Sequence, residues 1–243
     1  MTPPFASSLS PGAARRQAAL LLILFYAVIY GTAFLVGPAR QRLASPLLSA
    51  LLIGGVMLLA VLLFVRRDGS RRESLGLVPQ PPGAVVGWSL LGFLGTYALN
   101  LVLTTLYISA AGSLETLAAR RASWLGALAQ LPGTTVLPLV IFVGLWEELV
   151  FRGFLLGRLR AAWPAPEGRE RRRDALAIIL TAVFFGAGHG YQGPLGLMQT
   201  SVAGAVLGTL TVRRGSLWPA IGTHLAIDLF GLLLIRVIGR GLA

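Results

Sequence analysis

From Ala175 to Val212 the chain runs 38 residues without an Asp, Glu, Lys or Arg. A hydrocarbon core about 30 Å thick takes about 20 mostly apolar residues as one helical span. The stretch is therefore too long for a single span, and Gly188 to Gly193 supplies the break. Similar charge gaps recur along the chain, at positions 17–39 and 43–65. Composition agrees: 55% of the 243 residues are hydrophobic, 12% are charged, and the mean hydropathy is +0.76. That balance excludes an ordinary cytosolic globule, and also a disordered or collagen-like chain.

The gaps place spans at roughly Gln17 to Val36, Pro46 to Val65, within Ala84 to Ala110, Thr134 to Leu156, Ala175 to His189, Leu195 to Val212 and Leu217 to Ile238. The expected fold class is all-α, a polytopic transmembrane helical bundle of seven spans, or eight if one is hidden. Residues 1–16 read as a disordered tail rich in Pro and Ser, and 17–133 as N-terminal transmembrane helices with connectors. Gly112 to Gly133 reads as a connector with an interfacial helix. Arg66 to Glu73 reads as a solvated connector, and Arg158 to Asp174 is the most polar segment.

A formal net charge of +12 invites a nucleic-acid reading. All 21 basic residues are Arg, however, and apart from Arg152 they flank the apolar runs, which makes the charge an orientation signal. With the N-terminus inside, the inner segments hold 14 of these Arg and the outer segments 6. The expected location is a multi-pass integral membrane position in a bacterial cell, with membrane lipids and no nucleic acid as partners. The absence of Cys removes disulfides, thiolate ligands and a thiol nucleophile.

Three of the nine acidic residues fall inside spans: Glu147, Glu148 and Asp228. Both histidines, His189 and His224, lie there too. A carboxylate near the bilayer centre costs about 2.5–3.5 kcal/mol on insertion scales, so such groups persist only when paired or used. Glu148 and Arg152 share a helix face at i and i+4, as do His224 and Asp228, and Phe185 and His189. At about 1.5 Å per residue, Glu147, His189 and Asp228 each lie roughly 20 Å from the Arg158 side, so three helices bring ionisable groups to one depth. A structural ion pair accounts for Glu148 and Arg152 alone; it does not account for the whole set.

Such a set supports hydrolysis. A carboxylate and an imidazole can share a water and a second His can stabilise an oxyanion. Alternatively, Glu147, His189, His224 and Asp228 supply two imidazoles and two carboxylates, an acceptable zinc set, so zinc-bound and metal-free water are equally open. Trp146, Phe151 and Phe154 read as lipid-facing or packing residues. Gly204 and Gly208 form a G-x-x-x-G pair suited to close helix packing.

The motif Glu147-Glu148-Leu149-Val150-Phe151-Arg152, the run Phe185-Gly186-Ala187-Gly188-His189 and the run His224-Leu225-Ala226-Ile227-Asp228 resemble, in order, the E-E-x-x-x-R, F-x-x-x-H and H-x-x-x-N/D motifs of the CPBP family. These are the CAAX-type prenyl endopeptidases and bacteriocin-processing or immunity (Abi) proteins. The resemblance covers the late spans and marks 134–240 as an intramembrane protease domain. It implies that Glu147 and His189 activate water, that Arg152 holds Glu148, and that His224 with residue 228 stabilises an oxyanion. Position 228 is Asp, not Asn, so it must be protonated, orient His224 or bind a metal. The implied substrate is a prenylated or otherwise hydrophobic, membrane-associated peptide. A catalytically silent scaffold or immunity protein of the same fold is the alternative, and a proton or small-solute transporter the third reading. The depth reading opens the site to the outer face, whereas the family's eukaryotic members are thought to cut from the cytosolic side. A re-entrant segment near Arg121 to Gly133 would reverse this.

Overall fold

The structure, a computed structural model, describes residues 9–35, 46–69, 72–111 and 132–241. Every regular element among them is helical, with no strand. Three long helices, α1 (Pro11–Leu35), α2 (Pro46–Arg67) and α3 (Pro82–Ala111), form the N-terminal half. Each opens on a proline, whose fixed φ and missing N–H suit the first helical position. The C-terminal half starts with α4 (Gly133–Glu148), which passes without a break through a π-helical segment (Leu149–Leu155) into α5 (Leu156–Ala162). Helices α6 (Glu170–Gly188), α7 (Gly193–Arg214) and α8 (Trp218–Gly241) follow.

The expected break between the fifth and sixth spans is present. Helix α6 stops at Gly188, a short 3₁₀ turn covers Gly190–Gln192, and Gly193 takes φ 82° as α7 begins. Gly215 ends α7 in the left-handed conformation, the usual glycine cap. The tail ends earlier than expected: residues 11–16 form the first turns of α1, while residues 1–8 lie outside the described residues. The interfacial helix and re-entrant segment expected near 112–131 also lie outside them.

Among the described residues four helices are long and apolar enough to cross a membrane: Pro11–Gly31, Ala50–Arg67, Pro82–Ala110 and Gly190–Arg214. Trp218–Leu234 is a shorter apolar helix. The seven-span count is thus not established by length and hydropathy. The segments without that signal, α4 with its continuation, α6 and most of α8, hold the ionisable groups singled out above.

Helices α6 and α7 pack closely because glycines face their contact. A Cβ on Gly204 would lie 3.0 Å from the Ala182 Cα, and one on Gly208 would touch the Ile178 side chain at 3.3 Å. The G-x-x-x-G pair therefore does what its spacing suggests. An aromatic chain ties α1 to the later helices, with Phe25 edge-on to Phe151 at 5.0 Å and Phe151 edge-on to Phe185 at 5.0 Å. Trp146, Phe151 and Phe154 are buried packing residues.

One end of the bundle carries a second polar cluster, and here two expectations need correction. Asp68, read as part of a solvated connector, is 6% exposed, and Arg158, read as part of the most polar segment, is 3% exposed. Arg158 donates to Asp68 Oδ2 at 2.9 Å and to Gln17 Oε1 at 2.7 Å, while Gln17 donates to both Asp68 oxygens at 2.9 Å. Burial pulls the Arg158 guanidinium down from its ordinary value and Asp68 holds it up, the net direction being down. Nearby, Gln80 donates to the Arg214 carbonyl, Ser216 to the Val78 carbonyl, and the Leu217 N–H to the Gly76 carbonyl. These contacts join the start of α1, the α2–α3 connector, the start of α5 and the α7–α8 turn. Those are the segments the charge count assigns to one face.

Candidate active site

Glu147 and Glu148 end α4, directly before the backbone widens into the π-helical segment that carries Arg152. Glu148 and Arg152 are fully buried, and Arg152 Nη1 donates to Glu148 Oε1 at 2.8 Å. The i and i+4 pairing read from the sequence is formed. The regular helix expected from Thr134 to Leu156 is not, because π-helical winding sets in at Leu149. Single π turns inside α-helices are frequent at functional sites.

Arg152 is held by more than Glu148. Its guanidinium lies over the Phe185 ring, 4.1 Å from the centroid, a desolvated cation–π contact. Its Nη2 sits where a Cβ on Gly204 would come within 3.1 Å. Arg152 Nε and Nη2 and Glu148 Oε2 are buried without a hydrogen-bond partner among the described residues.

His224 reaches this pair from α8. Its Nδ1 lies 2.8 Å from Glu148 Oε1. That oxygen already accepts from Arg152, so Nδ1 is the donor and the imidazole orientation is set. The opposite nitrogen, Nε2, faces Glu147 Oε2 at 3.7 Å and Asp228 Oδ2 at 3.5 Å. Both separations exceed a direct hydrogen bond. Glu147 is 10% exposed at its side chain and Asp228 is 31% exposed, so the cluster opens on the Asp228 side.

Gly144 makes this approach possible. A Cβ there would meet Leu225 Cδ2 at 2.8 Å and His224 Cγ at 3.9 Å. Sequence reasoning passed over Gly144, which lies one turn before Glu148. It gave Gly204 a packing role only, and in both cases the sole signal was a glycine inside a helix that needs none for a turn.

His189 stands at the end of α6. Its Nδ1 pairs with the Phe185 carbonyl at 2.9 Å, and since a carbonyl only accepts, Nδ1 carries the proton and Nε2 is free to accept one. The Phe185 ring lies between the two imidazoles, 4.8 Å from His189 and 6.1 Å from His224. The structure thus joins Glu147, Glu148, Arg152, His224 and Asp228 through contacts under 4 Å. His189 joins them through Phe185, and among the described residues no hydrogen bond links it to Glu147.

Among the described residues no group of three or more His, Asp or Glu side chains is arranged to hold a metal ion. Chemically, among the described residues the arrangement offers a carboxylate with no short partner, a carboxylate-anchored imidazole facing it, and a second imidazole whose Nε2 makes no hydrogen bond.

Residues 129–230 match the family described as type II CAAX prenyl endopeptidase Rce1-like, a span containing all three motifs and every site residue named above. No curated protein and no solved structure gives a match. Over residues 129–230 the chain is thus similar to the Rce1-like type II CAAX prenyl endopeptidases, which belong to the CPBP/Abi family.

Proposed function

We propose that this chain is an intramembrane endopeptidase that hydrolyses a peptide bond near the C-terminus of prenylated or similarly hydrophobic membrane-associated peptides, using water without a metal ion. The observation that carries the reading is the position of His224. Its Nδ1 is anchored to Glu148 at 2.8 Å, and its Nε2 faces Glu147 and Asp228 across gaps of 3.7 and 3.5 Å. A buried, oriented imidazole opposite a carboxylate that has no short partner among the described residues suits proton transfer in a low-dielectric site better than it suits structural pairing.

In this scheme Glu147 takes a proton from water while the oxygen attacks the scissile carbonyl. His189 Nε2 orients that water. His224, as the imidazolium with Nδ1–H held by Glu148, donates from Nε2 to the developing oxyanion, with Asp228 protonated or orienting the ring. Collapse of the tetrahedral intermediate breaks the C–N bond, and Glu147 passes its proton to the leaving amine. Arg152 acts through Glu148 and is a positioning residue. Seven spans, with α4 and its continuation, α6 and α8 crossing as polar-bearing helices, fit this function, since a site inside the bilayer must place its ionisable groups on spanning segments.

The test is cleavage of a farnesylated C-terminal peptide by the purified protein, followed by mass spectrometry. Wild type should cut it, and Glu147→Ala and His189→Ala should lower the rate by about 10²–10⁴-fold, the usual worth of a positioned acid–base group. Full activity in both variants would remove the mechanism. No cleavage by wild type would favour a silent scaffold.

A further inference from the structure

An elongated apolar groove of about 560 Å³ runs between α3 and α7. It lies apart from the proteolytic cluster, sharing none of its residues. Its walls are single helical faces: Trp88, Leu91, Val102 and Leu106 on α3, and Val206 and Arg213 on α7. From Trp88 to Leu106 the α3 wall extends about 27 Å at about 1.5 Å per residue. That exceeds the roughly 15 Å depth of one leaflet's hydrocarbon.

One end of this groove differs in chemistry from the rest. Arg213 lines it and is exposed, and Arg214 follows with its guanidinium over the Trp88 ring at 4.9 Å. Among the described residues Arg214 Nε is buried without a hydrogen-bond partner, and no acidic side chain pairs with either arginine. The end of α7 carries about half a negative charge from its backbone dipole, which two guanidinium groups outweigh. Arg213 and Arg214 also lie at the arginine-rich end of the bundle, where Gln80 and Ser216 tie the connectors together. An apolar slot that ends in a Trp and two uncompensated arginines matches an amphiphile with a hydrocarbon chain and an anionic head.

We propose that this groove is a binding site for an anionic glycerophospholipid of the surrounding bilayer. One acyl chain lies between α3 and α7, and the phosphate is held by Arg213 and Arg214. The occupant is a lipid with a charged head because charge complementarity is confined to one end of the groove. A thioether-linked isoprenoid is itself uncharged, and the nearest anion of a prenylated C-terminal peptide is the terminal carboxylate, three residues beyond the modified cysteine, not a head group joined directly to the hydrocarbon chain.

The test uses the purified full chain in detergent, with retained lipid counted by native mass spectrometry. The probes are phosphatidylglycerol and phosphatidylcholine with identical acyl chains. Wild type should retain phosphatidylglycerol about tenfold better, as expected when two arginines meet an anionic head, and Arg213→Gln alone should cut that preference several-fold. Arg213→Gln/Arg214→Gln should leave a preference under about twofold. Val206→Trp should fill the groove and release both lipids. Arg213 is exposed, so its substitution leaves the packing intact and reads the head-group contact even if the Trp variant fails to fold. Equal retention of the two lipids by wild type, or an undiminished preference in the double variant, overturns the proposal. So does displacement of phosphatidylglycerol by uncharged N-acetyl-farnesyl-cysteine methyl ester at equal concentration, which would assign the groove to an isoprenoid.

Discussion

Two buried arginine–carboxylate clusters stand on the same continuous helical stretch. Arg158 meets Asp68 and Gln17, while Arg152 meets Glu148, beside which stand His224, Glu147 and Asp228. In the first, each contact is 2.7–2.9 Å, and no buried polar atom of the three residues lacks a partner. In the second, short bonds hold only Glu148 Oε1, and three buried polar atoms of Arg152 and Glu148 are left over. Across the imidazole, Glu147 and Asp228 stand off at 3.7 and 3.5 Å. Burying ionic groups costs several kcal/mol per ion and is offset only by excellent geometry and complete hydrogen bonding. The first cluster meets that condition and ties three segments together at the end of the bundle. The second does not, and in the proposed scheme the water and the peptide carbonyl enter at the gaps between His224 Nε2 and the Glu147 and Asp228 carboxylates.

Substitutions should separate the two clusters. Arg158→Ala leaves the Asp68 carboxylate buried without its cation, and a loss of about 3–5 kcal/mol is expected. Thermal or denaturant unfolding in detergent would register it, while turnover per folded molecule stays near wild type. A fall in turnover with unchanged stability would make this cluster functional and erase the contrast. His224→Ala should behave in the opposite sense, lowering kcat by about 10²–10³-fold through loss of an oxyanion donor. Its melting temperature should move less than that of Arg158→Ala. Gly144→Ala tests how the second cluster is assembled. The added methyl meets Leu225 Cδ2 at 2.8 Å, which should force the Leu225 side chain to repack beside His224 and cost about 1 kcal/mol. It should also slow cleavage, whereas Gly55→Ala, with open space around its Cβ position, should do neither. The smallest expected effect is that of chelation. Dialysis against EDTA should leave cleavage unchanged, and loss of activity restored by zinc would assign the Glu147, His189, His224 and Asp228 set to a metal after all.

The sequence exposed the second cluster and hid the first, for a physical reason. Glu147, Glu148, His189, His224 and Asp228 are conspicuous because they interrupt apolar helices, where ionisable groups are costly, and two of the pairings are local, at i and i+4. Asp68 and Arg158 sit beside polar connectors, and their bonds span 51, 90 and 141 positions, so nothing local marks them as buried. The helix boundaries were legible from charge gaps, prolines and glycines, as the α6–α7 break and the Gly215 cap illustrate. The π-helical winding after Glu148 was not, since the residues from Leu149 to Leu155 suit an α-helix equally well. The number of spans was less legible still, because the polar groups that mark the site remove the apolar signal from the helices that carry them.

The central claim is that Glu147 is the base of a proteolytic site and not a member of a structural ion network. The most direct measurement is kcat/KM for a farnesylated peptide by the Glu147→Gln variant, with its unfolding midpoint recorded on the same preparation. The account predicts a fall of about 10²–10⁴-fold at an essentially unchanged midpoint, because Gln keeps the shape but cannot take a proton. Near wild-type kcat/KM, or a lower midpoint with turnover per folded molecule preserved, would contradict it.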